Sequence, residues 1–387
     1  MKRFLAALAM VGLALGASSY VVTPTTILVS PTVDLQAAIN SLASVGRGGI
    51  IQLGPGVFTM TTPIVLPDYP PISIIGSGRW STQLDFSAIN KDSSCITVKS
   101  GYVTIADFML KGQGTSGAGY GIRVVRGNDS TKTANGISGP NLGTNHSTYR
   151  GLYVYNTASS DLYVAGLTEP GYVNVLFPPY QTTVEDCLFQ GSLNTGTPLI
   201  QVNYDAVLWR FIACSFQNYY NAGVTATNTD GIYFDKCVFG DNGPTTSTFL
   251  TLTGTRQSVV RDCWFEGNNP SAEDTTYYKV LLQPNTGYPY RGTMGAHLEN
   301  CFFATGYKHI RAIKSVGLVG SAKDDGLRIT NCWAVVDSTG YVDGNSIFVG
   351  DSTHAVTISG GGVHGQQALP VFSSWGIRRN PYTTVGS

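Results

Sequence analysis

The hydrophobic pattern of the chain is a long series of short apolar runs, each ended by glycine, proline or small polar residues. The stretch GRGGIIQLGPGVFTMTTPIVLP, residues 46–67, shows this alternation, and it continues through most of the sequence that follows. Short β-branched runs between Gly and Pro turns are typical of β-strands. The pattern therefore predicts an all-β structure made of many short strands.

One segment, TVDLQAAINSLASV at residues 32–45, has a helical period instead. Thr32 or Asp34 is suited to cap the helix, because both side chains can accept a hydrogen bond from a free backbone N–H. A single amphipathic helix before many strands predicts a cap over the open end of a stacked structure. Its predicted apolar face comprises Leu35, Ala38, Ile39 and Leu42.

A six-residue phrase with a central cysteine recurs along the chain, which is the pattern of a solenoid whose coils tolerate insertions outside the phrase. Successive cysteines of the phrase are 27, 23, 26, 38 and 31 residues apart. The six copies are VEDCLF (Cys187), FIACSF (Cys214), FDKCVF (Cys237), VRDCWF (Cys263), LENCFF (Cys301) and ITNCWA (Cys332).

The phrase predicts a corner just before each cysteine. The apolar residue three positions before the cysteine and the cysteine itself both favour the interior, whereas strict alternation would place them on opposite faces. The two residues between them must therefore turn the chain. They are mostly polar, and Asp and Asn tolerate the left-handed conformation of a tight corner, with Ile212-Ala213 as the exception. Each coil then lays its cysteine over the previous one, about 4.8 Å away.

The cysteines are accordingly predicted to be buried free thiols. Side chains stacked in register have parallel Cβ vectors, and their spacing of about 4.8 Å is wider than disulfide geometry favours. The sequence has no CxxC motif and no Cys/His cluster, and its five histidines are scattered. We therefore expect no metal site and no cofactor, and Cys95, outside the phrase, fits the same interpretation.

Charge excludes some partners. Charged residues make up only 12% of the 387 residues and the formal net charge is zero, so neither nucleic acid nor an acidic membrane is an expected ligand. The first 19 residues combine Lys2 and Arg3 with a short apolar run, which predicts an export signal or an uncleaved N-terminal anchor. The predicted organisation is then a linker at 20–33, a capping helix at 34–46, a solenoid at 47–360 and a closing segment at 361–387.

The opening of the solenoid, residues 34–86, resembles the pectate-lyase-like right-handed parallel β-helix superfamily, especially its bacteriophage tailspike branch. The resemblance is carried by the capping helix, a Gly-rich turn, the Pro55-Gly56 turn and the Gly76-Ser77-Gly78 motif, together with the cysteine coils. It implies a single-stranded right-handed parallel β-helix, a polysaccharide partner, and a protein secreted or exposed on a cell surface or virion. Tailspike shafts associate as trimers, so a homotrimer is a further expectation. If residues 1–19 are retained, we also expect attachment to a membrane or virion through the N-terminus. The fold hosts lyases, hydrolases, esterases, epimerases and inert shafts, so the activity stays open.

One catalytic motif is matched in part. Asn228-Thr229-Asp230-Gly231 has the letters of the first polygalacturonase element, but the remaining elements are missing. Asp230 lies seven residues before Cys237, as Asp325 lies seven before Cys332, and Gly follows both. This favours a repeated Asp-Gly turn. Three coils would separate the two carboxylates by about 14 Å, which is too far for a glycosidase pair.

If the protein cleaves glycans, its carboxylates should come from one coil or from adjacent coils. Asp205 with Asp230 and Asp241 with Glu266 meet this condition, although exposed carboxylates are also ordinary on a solenoid surface. Aromatic residues near the first pair are candidates for stacking on sugar rings: Tyr204, Trp209, Tyr219, Tyr220 and Tyr233. Two hypotheses remain open, a tailspike-like glycan depolymerase that acts by hydrolysis or elimination, and a non-catalytic structural or adhesive shaft.

Overall fold

The computed structural model is a single column of β-coils with three parallel sheets, A, B and C, and each coil passes through them in that order. The fold class predicted from the sequence, a right-handed parallel β-helix with an N-terminal helix, is confirmed. The structure describes residues 25–46, 48–114, 116–125, 146–165, 179–191, 196–203, 206–218, 222–241, 248–267, 278–285, 293–305, 311–316, 326–336, 348–351, 356–365, 377–378 and 383–385.

The strands are numbered in chain order and stack in register with their neighbours. Sheet A contains β1 (Thr25–Val29), β2 (Gly49–Leu53), β5 (Ile72–Ile75), β8 (Thr104–Ala106), β11 (Thr148–Arg150), β14 (Thr183–Glu185), β17 (Val207–Ile212), β20 (Asp230–Asp235), β23 (Val259–Arg261), β26 (His297–Glu299), β29 (Arg328–Thr330), β32 (Val356–Ser359) and β35 (Thr383–Val385). Sheet B contains β3 (Gly56–Thr59), β6 (Thr82–Asp85), β9 (Met109–Lys111), β12 (Tyr153–Tyr155), β15 (Leu188–Gln190), β18 (Ser215–Gln217), β21 (Val238–Asp241), β24 (Trp264–Gly267), β27 (Phe302–Thr305), β30 (Trp333–Val336) and β33 (Gly362–Gly365). Sheet C contains β4 (Ile64–Val65), β7 (Ile96–Val98), β10 (Ile122–Val124), β13 (Leu162–Val164), β16 (Ile200–Asn203), β19 (Ala222–Thr227), β22 (Thr248–Thr253), β25 (Tyr278–Gln283), β28 (Arg311–Val316), β31 (Phe348–Asp351) and β34 (Ile377–Arg378).

The corner between sheets A and B is the one that the cysteine phrase predicts. The residue immediately before each phrase cysteine has a positive φ, and Ala213 adopts it (51°) although it is neither Asp nor Asn. The ladder of backbone hydrogen bonds continues through the corner: the Ala213 N–H donates to the Asp235 carbonyl at 2.9 Å, and the Lys236 N–H to the Arg261 carbonyl at 3.0 Å. The left-handed residues of this corner are Asp186, Ala213, Lys236, Asp262, Asn300 and Asn331.

The interior is built of columns of like residues. All seven cysteines are free and buried, as predicted. The thiols lie near backbone carbonyls; Cys237 Sγ, for example, is 3.4 Å from the Phe211 oxygen and 3.5 Å from that of Asp235. Burial raises the pKa of the Cys187 and Cys237 thiols well above the usual range. The phenylalanines that lie two residues after the cysteines form a second column. The ring centroids of Phe239 and Phe265 in this column are 4.6 Å apart.

The N-terminal helix, α1 (Leu35–Ser44), begins after Asp34, whose carboxylate accepts a hydrogen bond from Ala37 N at 3.1 Å. Of the two predicted caps, Asp34 is therefore the one used. Leu35, Ile39 and Leu42 are buried against the first strands of the column. The predicted linker contains strand β1, which pairs with β2, and described strands extend into the predicted closing segment as far as β35.

The predicted signal or anchor at residues 1–19 lies outside the described residues. Within the described part of the chain, no helix combines the length and apolar character that a membrane span requires.

Candidate functional site

The outer face of sheet A carries a groove across strands β17, β20 and β23. Alternation points Phe211 and Phe234 inward, so their neighbours on either side face solvent. The outward positions form two columns, and the groove between them has a volume of about 330 Å³. Its outward lining consists of Arg210, Tyr233 and Val259 in the first column and Ile212, Asp235 and Arg261 in the second.

Two arginines with different environments flank this groove. Arg210 is exposed and its guanidinium lies over the ring of Tyr233, 5.6 Å from the centroid, at the distance of a cation–π contact. Among the described residues, Arg210 has no ion-pair partner. Arg261 instead makes two hydrogen bonds to the Asp235 carboxylate, at 3.2 and 3.0 Å, and these raise the pKa of Arg261. Arg210 is therefore the groove cation available to an incoming anion.

Asn228 and Thr229 form the turn before β20, and Asp230 and Gly231 are the first two residues of that strand. Asn228 and Gly231 both have left-handed φ values, 52° and 71°, and Asn228 and Thr229 are buried. Asp230 Oδ1 lies 3.9 Å from Nε of Arg256, which occupies the same position one coil later. Gly295 and Gly326, at the corresponding position of later coils, also have positive φ, so the repeated-turn interpretation is confirmed. Asp325 lies outside the described residues.

The first predicted carboxylate pair is only half described. Asp205 lies outside the described residues, as do the three tyrosines Tyr204, Tyr219 and Tyr220. Of the first group of predicted site residues, the structure brings Tyr233 into the groove and places Asp230 at the start of the same strand.

The second predicted pair lies on sheet B. Glu266 pairs with Gly240, and Asp241 with Gly267, so the two acidic positions are one residue out of register on adjacent strands. Glu266 Oε2 accepts a hydrogen bond from Trp264 Nε1 at 2.9 Å. Asp230 belongs to sheet A and Glu266 to sheet B, so the two predicted pairs are separate candidate sites. The Asp241 side chain lies outside the described part of the structure.

The structure contradicts the prediction that Trp209 stacks on a sugar ring. Its side chain is only 1% exposed, its ring packs near Tyr149 and Phe211, and Nε1 donates to the Pro179 carbonyl at 3.3 Å. A ring in the core cannot stack on a sugar, so the predicted role of Trp209 is wrong. The repeat contained the necessary signal, because Trp209 lies two residues before the inward Phe211 and shares its face.

Sequence reasoning missed Arg210 and Arg261. Arg210 and Tyr233 each lie four residues before a phrase cysteine, and Arg261 lies two before Cys263. The residue three before each cysteine points inward, so the residues two and four before it point outward. Counting positions back from each cysteine would therefore have placed Arg210, Tyr233 and Arg261 on the outer face. Across the described ranges, no group of three or more His, Cys, Asp or Glu side chains is arranged to hold a metal ion.

Comparisons with known proteins agree on the fold. No family model and no curated protein matches the chain. The A-module of the mannuronan C-5 epimerase AlgE4 from Azotobacter vinelandii is similar in structure, with a TM-score of 0.57, 13% identity, and coverage of 91% of this chain and 95% of that one. PfbA, a surface adhesin of Streptococcus pneumoniae, has a TM-score of 0.50 and 12% identity, with 85% of each chain covered.

Tailspike protein 2 of bacteriophage CBA120 aligns less well, with a TM-score of 0.44, 12% identity, and coverage of 87% of this chain but only 46% of that one. The stacked coils, the left-handed corner and the fold similarity to the epimerase module lead to one conclusion. The protein has a right-handed parallel β-helix fold, which is similar to that of the epimerase A-module.

Proposed function

We propose that the protein is a surface-exposed or secreted β-helix that binds an anionic polysaccharide in the groove on the outer face of sheet A. The observation that carries this proposal is the exposed Arg210 guanidinium, which lies over Tyr233 and has no ion-pair partner among the described residues. A guanidinium matches a carboxylate with two parallel hydrogen bonds, so a uronate unit is a suitable ligand.

The stack on Tyr233 restricts the planar guanidinium before the ligand arrives. Less side-chain entropy is then lost on binding than for a freely rotating arginine. Successive rungs of the sheet are about 4.8 Å apart, so a linear glycan lying along the column contacts several strands. The names of two proteins with similar folds, a mannuronan epimerase and a surface adhesin, support a carbohydrate or surface role without identifying the ligand.

We propose binding as the primary function, because the described residues supply an exposed cation in the groove. Each predicted catalytic pair has one member without a described side chain, Asp205 in the first and Asp241 in the second. The described members, Asp230 and Glu266, each contact a neighbouring side chain, Arg256 and Trp264 respectively. A glycosidase needs its two carboxyl groups about 5 to 9.5 Å apart at one bond. Cleavage is the alternative, with Asp205 and Asp230 on one side or Asp241 and Glu266 on the other as the predicted pair of carboxylates.

The binding test compares Arg210→Gln with Arg328→Gln. Arg328 lies in the same outward column four rungs farther along, is exposed, and offers the same loss of charge outside the groove. Affinity for oligogalacturonate and oligomannuronate is measured by calorimetry at low and high salt. We expect Arg210→Gln to weaken binding about tenfold or more, since charged hydrogen bonds contribute about 1.5–3 kcal/mol. Equal affinity of both variants and the wild type would refute the proposed groove.

The cleavage test uses the same oligomers. Release of reducing ends or of unsaturated sugars is measured for the wild type and for the Asp205→Asn, Asp230→Asn double variant. The binding proposal predicts no product. Product from the wild type that disappears in the double variant would establish the depolymerase alternative at this pair.

Assembly and attachment extend the proposal. We propose that the chain forms a homotrimer, by analogy with tailspike shafts. We further propose that residues 1–19, with their cations and apolar run, hold it to a virion or membrane. Light scattering of the purified protein tests the trimer, and mass spectrometry of its N-terminus tests whether the first 19 residues are retained. A monomer with a cleaved N-terminus would contradict both parts.

A further inference from the structure

The loop between β5 and β6 folds along the column instead of simply turning the corner. Arg79 Nη2 forms an ion pair with the Asp186 carboxylate at 2.8 Å and also donates to the Asp186 carbonyl. Asp186 follows β14, three rungs beyond β5 in sheet A. The base of the loop is tight, since Gly78 has a φ of 139° and its carbonyl accepts the N–H groups of Ser81 and Thr82 at 3.0 Å. The arginine therefore anchors the loop across several coils.

This anchor places Trp80 on the outer face of sheet B. The indole lies over the ring of Tyr153 in β12, with centroids 5.3 Å apart and the planes inclined by 56°. Trp80 nevertheless remains 68% exposed. A large aromatic side chain that is held in place yet left mostly in solvent is a typical feature of a binding surface.

Polar groups lie in the neighbouring column of the same face. Asp85, Lys111, Tyr155 and Gln190 follow one another on adjacent rungs. Lys111 Nζ is 3.0 Å from Asp85 Oδ2, and both side chains retain some exposure. The Tyr153 hydroxyl donates to Gln190 Oε1, and the Tyr155 ring stacks on that of Tyr153 with centroids 4.8 Å apart.

The ion pair stays charged over a wide pH range. Its hydrogen bond and charge raise the pKa of Lys111, while hydrogen bonds from Ser87 and Lys111 outweigh the effect of burial and lower the pKa of Asp85. The paired carboxylate and ammonium together carry no net charge, and they offer an acceptor beside a donor.

We propose that Trp80, Tyr153, Tyr155, Asp85, Lys111 and Gln190 form a binding subsite for a neutral pyranose unit. The apolar face of the sugar ring lies on Trp80, and two adjacent hydroxyls bind the Asp85 carboxylate and the Lys111 ammonium. An uncharged ring suits this pair because it adds no charge that one partner would repel. The subsite is on sheet B, so it is independent of the groove proposed on sheet A.

The test is saturation-transfer NMR and calorimetry with three neutral probes, maltohexaose, cellohexaose and mannohexaose, in 0.5 M NaCl. We expect at least one probe to bind, with saturation transferred to its ring protons. Trp80→Ala should weaken that binding about tenfold, and Lys111→Met should weaken it without removing the aromatic platform. Trp264→Ala is the matched control, because Trp264 is an exposed tryptophan on the same face of sheet B, outside the subsite.

Circular dichroism and thermal unfolding establish that each variant is folded. Binding that survives in Trp80→Ala, binding lost instead in Trp264→Ala, or no binding of any probe would overturn the proposal. The two sites are tested separately. If uronate binding is lost in Arg210→Gln but kept in Trp80→Ala, the groove on sheet A is supported whatever the outcome for the subsite on sheet B.

Discussion

Ala213 provides a direct test of the left-handed corner between sheets A and B. It has a φ of 51° and an exposed side chain, so a substitution there changes backbone strain more than packing. An L-residue in this conformation is strained by about 1–2 kcal/mol relative to glycine. Glycine costs about 0.5–1 kcal/mol in unfolded-chain entropy. We therefore expect Ala213→Gly to stabilise the protein by about 0.5–1 kcal/mol and Ala213→Val to destabilise it by about 1–3 kcal/mol.

Equilibrium unfolding in urea measures these changes as shifts of the midpoint at constant slope. Ala118→Gly is the matched control, because Ala118 is exposed but its φ is not positive. We expect this control to be destabilised by about 0.4–1 kcal/mol, since only the entropy of the unfolded chain changes. A loss of stability in Ala213→Gly as large as in the control would refute the reasoning, as would a neutral Ala213→Val.

Three further predictions concern the interior. Phe239 is fully buried between Phe216 and Phe265. Phe239→Ala should lower the free energy of unfolding in urea by about 3–5 kcal/mol, and Phe239→Leu should lower it less. Similar losses for both variants would contradict the stacked column. A thiol reagent should modify none of the seven cysteines in the native protein and all of them after denaturation, whereas fewer than seven reactive thiols would indicate disulfides. Asp161 is buried, which raises the pKa of its carboxyl group, and it accepts a hydrogen bond from Thr157 at 2.7 Å. The stability that the protonated Asp161 gives the folded state is fully present below the unfolded pKa of about 4 and is lost as pH rises through the folded pKa. The free energy of unfolding of Asp161→Asn minus that of the wild type, measured from pH 4.5 to 8, should therefore increase with pH. A difference that does not change with pH would contradict this.

The sequence contains most of the information for the fold because the solenoid repeats it. The cysteine phrase implies both the corner and the stacking of like residues, and the structure confirms each at Asp186, Lys236 and their counterparts. The helix was also predictable, since Asp34 precedes an apolar stripe of regular period. Each coil contacts only its neighbours, so a pattern that recurs in every coil also predicts the contacts between coils.

The candidate site was less predictable, because surface positions do not repeat. Tyr233 was identified, but Trp209 was placed on the wrong face and Arg210 was overlooked. The anchor of the Trp80 loop joins Arg79 to Asp186, which are 107 residues apart. No local pattern indicates a contact between coils that depends on the length and direction of one loop.

The central claim, that the groove on sheet A binds an acidic glycan, is tested most directly by a crystal structure of the protein with a saturating oligouronate. The account predicts electron density for a sugar carboxylate in bidentate contact with the Arg210 guanidinium, and a chain running along the column over Tyr233. Oligouronate density on another face of the column, or a groove left empty under saturating ligand, would contradict it.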